Sequence, residues 1–462
     1  MSDRKKEVIG TFLCFFLIGL AFSVILAHAG LLSAGRWQGD EYTLSLYARN
    51  TGLSGVWERI TGWSPRPVAE SLSYLYFCVS NAFDRPLIGS FLGCVWLFTL
   101  LGVSGAGWIA RARQPVGRAM IWFALFLLLD RPGEVFFWPM AAVAYLPLWG
   151  GLAVVTMLLL DGRAWTGRTA WVLSGALLVA AFSSEVGAVT VGSFALLVAM
   201  MPGSGKRGHA WSMTLLAPVL GSAAVIGILL SHRGVSHHEI MEAGTGLAGS
   251  WGRSLLASVP TLGHEVLGIT GVPLILAVLI KLTLPWLVLN DASSDRPAFR
   301  GRGLLLCWFV ALMCGAAMSV VSAYHQFGIL CCERHHTMRS GMFLLAILTL
   351  GGLTGCAFRF ARQAGLLIVL LLLVAFRAVP FLSDWHVSRE VIAARQASWR
   401  SGYAQNSGMT LEVGPDGQLL AANTIPRGYW SLQEKDDVPW FASGIMARFG
   451  KSSLSVKVGP EP

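Results

Sequence analysis

Long apolar runs recur along the whole chain, and no other property restricts its fold so tightly. A helix needs about 20 predominantly apolar residues to cross a bilayer. Runs of that length, or approaching it, occupy 8–32, 87–110, 119–129 with its continuation, 144–160, 169–182, 186–201, 211–231, 268–290, 304–323, 338–357 and 364–381. Charged residues form 13% of the chain and hydrophobic ones 54%, whereas a soluble domain carries about 25% charged residues. A chain so short of polar surface covers itself with lipid. The expectation is an all-α polytopic membrane protein with about eleven spans, its 18 Trp and 24 Phe supplying interfacial belts.

The first run follows Arg4, Lys5 and Lys6. Signal peptides share that basic flank, but their apolar region of about 7–15 residues is shorter, so an uncleaved first span is expected. The stretch 169–201 is interrupted at Ser183, Ser184 and Glu185, which reads as a tight hairpin, with one bent helix as the alternative. Charge arbitrates. With the N-terminus cytoplasmic, the inward connections are 111–118, 161–168, 202–210, 291–303 and 358–363, and each holds two or more Lys or Arg. This is the positive-inside pattern, and one bent helix would put three of these connections on the wrong face. The net charge of +10 therefore orients the chain in a membrane. Nucleic-acid binding would need basic stretches interleaved with exposed aromatics, and there are none.

This topology divides the chain into a transmembrane part, 1–383, and an extracytoplasmic tail, 384–462, read as a small cap. The other outer segments are 33–86, 130–143 and 232–267. In the first, Ser64, Pro65 and Pro67 ahead of Glu70 signal a helix start, and the residues that follow are amphipathic enough to lie at the interface. The tail sequence LEVGPDGQLLAA reads as a hairpin around Pro415, Asp416 and Gly417. No internal repeat is visible, which argues against an inverted-repeat transporter.

Asp40 and Glu41 follow the first span. Either carboxylate could take a proton from an incoming hydroxyl; the plainer alternative is a pair of solvated loop acids. Glu185, at a break in an apolar run, is the next candidate, because ionisable groups within membrane segments are costly and usually functional. Its alternative is a helix-end acid facing water. Asp130, Arg131 and Glu134 interrupt another run, where Arg131 can pair with either acid. Arg66, Arg233, Arg334 and Arg339 lie on or near the outer face. Guanidinium groups suit bidentate phosphate binding, although any one of them can simply snorkel or pair. His237, His238 and Glu239, or His335 and His336, offer metal ligands without HExxH spacing, and Cys331–Cys332 are neighbours unsuited to an unstrained disulfide. No metal site is assigned. GSGK at 203–206 is too short for a Walker loop.

Four stretches, GDEYTLSLYARN, WSPRPVAESL, EVFFWPMAAVAYL and DDVPWFASGIMARFG, carry a resemblance to the GT-C superfamily of lipid-linked-sugar glycosyltransferases. Within it the chain resembles polytopic bacterial proteins related to O-antigen-modifying glucosyltransferases. The resemblance implies a multi-pass protein of the bacterial inner membrane. It implies a donor sugar on a polyprenyl phosphate, a glycan or lipid-linked acceptor, and transfer with inversion. It matches the family's loop-one acid to Asp40, with Glu41 beside it where a second Asp often stands. Arg66 matches the loop-one Trp/Arg motif, Glu185 the mid-chain acid, and Arg334 or Arg339 the late-loop arginine. A divalent cation is an open possibility. Two other readings compete: a transporter or flippase for a lipid-linked sugar, and an assembly protein with no chemistry. A transporter places ionisable groups along a path at the midplane, whereas here they gather at one face.

Overall fold

A computed structural model describes residues 3–35, 37–112, 114–129, 132–160, 167–201, 205–231, 251–268, 302–327, 333–354, 359–413, 428–433 and 438–458. Among them, six helices are long and apolar enough to cross a membrane: Val8–Ala34, Ile88–Ile109, Pro139–Leu160, Met213–Ser231, Arg302–Tyr324 and Gly365–Gly402. Three shorter apolar helices are Pro115–Leu128, Arg168–Ser183 and Glu185–Ala199. The chain is thus a helical, multi-pass membrane protein. The run 338–357 belongs to a helix, Glu333–Thr354, with a charged first turn, and the span expected at 268–290 lies largely outside the described residues.

The bundle is organised around α8 (Pro139–Leu160), which is buried on nearly every side. A helix apolar all round belongs in an interior, and α8 packs against α4 (Pro67–Ala82), α5 (Ile88–Ile109), α9 (Arg168–Ser183) and α14 (Glu333–Thr354). Trp149 of α8 stacks on Phe126 of α6 (Pro115–Leu128), centroids 4.6 Å apart. Trp308 of α13 (Arg302–Phe327) donates its indole N–H to the Thr156 hydroxyl at 2.9 Å.

The sequence between α6 and α8 is not one continuous span. At 1.5 Å per residue α6 reaches about 21 Å, short of a hydrocarbon core of about 30 Å. It ends at Leu128, and the five-residue α7 (Gly133–Phe137) is buried throughout. Interrupted helix is tolerated in a membrane protein where protein surrounds it. Here the carbonyls at the break find donors: Trp96 Nε1 on Phe136 O at 3.3 Å and Arg377 Nε on Leu128 O at 3.2 Å.

The chain doubles back at Ser184. This residue is extended (φ −163°, ψ 162°), and its hydroxyl caps α10 (Glu185–Ala199) by accepting from Gly187 N at 3.2 Å. A Cβ on Gly187 would sit 1.9 Å from the carbonyl oxygen of Ala180. Residues seven apart in a straight helix are about 10 Å apart, so α9 and α10 form a hairpin whose close approach requires glycine.

At the C-terminal side, α15 (Arg359–Gly402) runs for 44 residues, about 66 Å, and passes position 384 without a break. The compact cap therefore begins after Gly402 rather than at the end of the last apolar run. It contains β1 (Gly408–Val413), β2 (Gly428–Ser431), α16 (Trp440–Phe449) and β3 (Ser453–Val458). The strand order is β1-β3-β2, with β3 parallel to β1 and antiparallel to β2. The final strand is thus the described partner of β1, while the expected turn at Pro415–Gly417 lies outside the described residues.

The cap is docked on α2 (Gly39–Thr51), in the segment that joins the first two long apolar helices. Phe449 meets Tyr42 and Trp399, and Trp399 packs edge-on against Trp37. Arg395 of α15 donates to the carbonyls of Ser33 and Gly35. Trp399 Nε1 donates to Asp84 O at 2.8 Å, and the Tyr403 hydroxyl to the Asp84 carboxylate.

Candidate functional site

Adjacent acids open α2 and take opposite surroundings, because successive helical residues point about 100° apart. Glu41 is wholly buried and closes a capping box: its Oε2 accepts the Gln38 backbone N–H at 2.8 Å. Its Oε1 accepts from the Trp138 indole N–H. Asp40 is exposed to solvent. Partial desolvation by the surrounding protein raises the Asp40 pKa above the ordinary carboxylate value, and the Arg334 and Arg59 charges partly offset the rise. Burial, reinforced by the Asp40 charge, pushes Glu41 well above its usual value, against the two N–H donors that favour its ionised form.

Three ion pairs stand at this end of the bundle, and the arginines of two of them, Arg334 and Arg59, act on Asp40. Arg66 is the N-cap of α4, directly before Pro67, and its Nε lies 2.9 and 2.8 Å from the two oxygens of Glu185. Glu185 is the first residue of α10, where the helix dipole favours negative charge. The hairpin turn at Ser184 thus presents its acid to the segment that joins the first two long apolar helices. Arg334, at the start of α14, gives Glu134 its backbone N–H at 2.9 Å and its Nη1 at 3.4 Å. The Arg334 guanidinium also lies 5.3 Å from the Trp138 ring centroid, a cation–π distance. Arg59 of α3 (Leu53–Gly62) grips Glu70 with a fork, Nε at 2.6 Å and Nη2 at 3.2 Å.

Electrostatic neighbours close the ring. Tyr145 feels the charges of Arg66, Arg334, Glu185 and Glu134, and Arg66 also feels Glu70. Asp40, Glu41, Arg66, Glu185 and Arg334 therefore gather at one end of the bundle from four separate segments. Their pairings are not equivalent. Arg59 commits a fork to its acid. Arg66 engages Glu185 through Nε alone, and Arg334 makes only one long side-chain bond. Those two guanidinium groups keep donors for an anion.

The competing late arginines are separated by the fold. Arg334 belongs to the ring, whereas Arg339 is buried, only 1% exposed, five residues further along α14. Arg233, Asp130, Arg131, His237, His238, Glu239, Cys331 and Cys332 lie outside the described residues. Among the described residues, no group of three or more His, Cys, Asp and Glu could hold a metal ion. The carboxylates nearest Asp40 do not fit one: Glu41 is enclosed by its two N–H donors, and Glu70, Glu134 and Glu185 face arginines.

Sequence reasoning missed the Arg59–Glu70 fork and the parts of Trp138 and Tyr145. A signal for the last two existed. They stand seven residues apart, two helical turns, and so share a face of the chain entering α8. The fork had none, since partners eleven residues apart across a helix–helix turn have no fixed spacing. Comparison with protein-family models, with curated proteins and with solved structures gives no match to this chain.

Proposed function

We propose that this protein is a glycosyltransferase of GT-C type, with about eleven spans, its N-terminus cytoplasmic and its cap outside the inner membrane. It moves a sugar from a polyprenyl phosphate to a cell-envelope glycan or lipid-linked acceptor. The observation that carries this reading is the open carboxylate of Asp40 facing the Arg334 charge, with Arg66 joined to the same cluster through Tyr145 and both guanidinium groups keeping donors to spare. Asp40 removes the proton of an acceptor hydroxyl. The hydroxyl oxygen attacks the anomeric carbon from the face opposite the phosphate, and the carbon–phosphate-oxygen bond breaks with inversion. Arg66 and Arg334 bind the departing polyprenyl phosphate, whose charge needs electrostatic stabilisation and no strong acid. Glu185 and Glu134 orient those arginines. Glu41, enclosed and bonded to Trp138, positions the indole under Arg334 and is not the base.

Gathering of the ionic groups at one end favours this reading over a lipid-linked-sugar transporter, which needs charges along a path. Mass analysis of envelope glycans from cells with and without the gene tests it directly. The expected result is one sugar substituent lost on deletion and restored by wild type, but not by the Asp40→Asn variant. Restoration by that variant would remove the chemistry from Asp40. A reporter active only in the cytoplasm, fused after Pro462, is expected to be silent, and a strong signal would overturn the eleven-span topology.

A further inference from the structure

Trp440 opens α16 and remains 59% exposed, although α16 is docked on α2. Its position is set by Gly39, the residue before Asp40. A Cβ at Gly39 would lie 2.3 Å from Phe441 Cβ and within 3 Å of two Trp440 ring atoms. The edge of the indole therefore rests on the first turn of α2. Phe441 braces it, with ring centroids 6.1 Å apart and the planes perpendicular. One turn along, Gly444 leaves room for Thr43, whose hydroxyl would be 2.3 Å from a Cβ there. Asp40 and Thr43 share the solvent-facing side of α2. The seam between the two helices thus presents an exposed aromatic surface, a hydroxyl and a carboxylate, kept low by two glycines.

A pyranose ring matches that composition. Its C–H face is apolar and suits the face of an indole, while its hydroxyls reach polar groups at the rim. We propose that Trp440 is the platform for the acceptor sugar, with Thr43 at its edge, holding one hydroxyl of the ring toward Asp40. The inference rests on the glycosyltransferase reading and assigns the acceptor side of the same site. It places the acceptor between α2 and the cap. It also gives the docked cap a part in recognition.

The test uses the full-length protein in nanodiscs, with water-soluble oligosaccharides released from the envelope glycans by mild acid as the probe. Saturation-transfer NMR is expected to show the probe bound to wild type, weakened roughly three- to tenfold by Trp440→Ala, the scale of one aromatic contact, and largely retained by Trp440→Phe. In the transfer assay, Trp440→Ala is expected to raise the acceptor KM by a similar factor while the donor KM stays unchanged. Transfer to the soluble probe assigns a polysaccharide acceptor; transfer only to a lipid extract from the same cells assigns a lipid-linked one. Binding that depends on Trp440 without any transfer would uphold the platform and sink the glycosyltransferase reading. Equal binding by wild type and Trp440→Ala, or no binding by either together with an acceptor KM that Trp440→Ala leaves unchanged, would overturn the platform. Matched thermal unfolding of the two variants separates these results from misfolding.

Discussion

Around α8, Trp122, Trp149 and Trp308 are fully buried, and the indole nitrogens of Trp122 and Trp149 have no hydrogen-bond partner. At the end of the bundle, where α2, α4, α10 and α14 meet, the carboxylates of Glu70, Glu134 and Glu185 each face an arginine. The first region tolerates an unpaired N–H because close packing repays ring volume. The second holds its geometry through direction and charge. Shape should therefore govern substitutions in the core, and chemistry those in the ring.

The largest effect belongs to the ring. Asp40→Asn keeps the shape of the side chain but cannot take a proton, so transfer is expected to fall about 10²–10⁴-fold with unfolding unchanged. The raised Asp40 pKa also fixes a sign. The base works deprotonated, so kcat/KM for wild type should fall as pH drops through a value above the ordinary Asp pKa of about 3.9. An acid limb at or below that value would show that the surrounding protein does not desolvate the carboxyl.

The core gives the next effect. Trp149→Ala removes the ring stacked on Phe126 and is expected to cost about 3–5 kcal/mol of stability. Trp149→Phe loses no hydrogen bond and should cost less than about 1.5 kcal/mol. If denaturation in detergent finds the two variants equally damaged, volume is not what the core demands.

Arg66→Lys preserves charge but not the planar guanidinium, whose Nε alone holds Glu185 and leaves the Nη edge for phosphate. A loss of about tenfold in transfer is expected, on the scale of one charge-assisted bond, at normal protein levels. Full activity would remove Arg66 from the donor site.

The smallest activity change is expected from Glu41→Gln. The amide offers one acceptor to two N–H donors, so Gln38 or Trp138 loses its partner. Stability should drop by about 1–3 kcal/mol, while transfer falls by less than in Asp40→Asn. A loss as complete as that of Asp40→Asn would make the two acids one catalytic unit and blur the division between base and brace.

Much of the membrane-embedded part was legible in advance. The helical runs, the break at Ser183–Glu185 and the helix start at Pro67 all carry local signals: apolar length, a polar interruption in an apolar run, proline at the first helical position. The α6–α7–α8 interruption was less legible, because a buried helix and a buried irregular turn can share the same apolar composition. In the tail, only the second half of the strand Gly408–Val413, from Leu411, falls in the stretch expected to form a hairpin. Its parallel pairing with Ser453–Val458 joins residues forty-five positions apart, which no local pattern encodes.

What the sequence by itself determined is a helical membrane chain, since a lack of charge over long apolar runs leaves few other ways to satisfy the backbone. It also singled out Asp40, Glu41, Arg66 and Glu185 as ionisable groups next to, or at breaks in, apolar runs, where such groups are costly. Only the tertiary structure decided which acid is open and which enclosed, because one residue's rotation along α2 separates solvent from interior. It alone chose Arg334 over Arg339 for the ring, and it alone seated Trp440 on Gly39. Those outcomes depend on which distant surfaces meet, and distance along the chain does not carry that information.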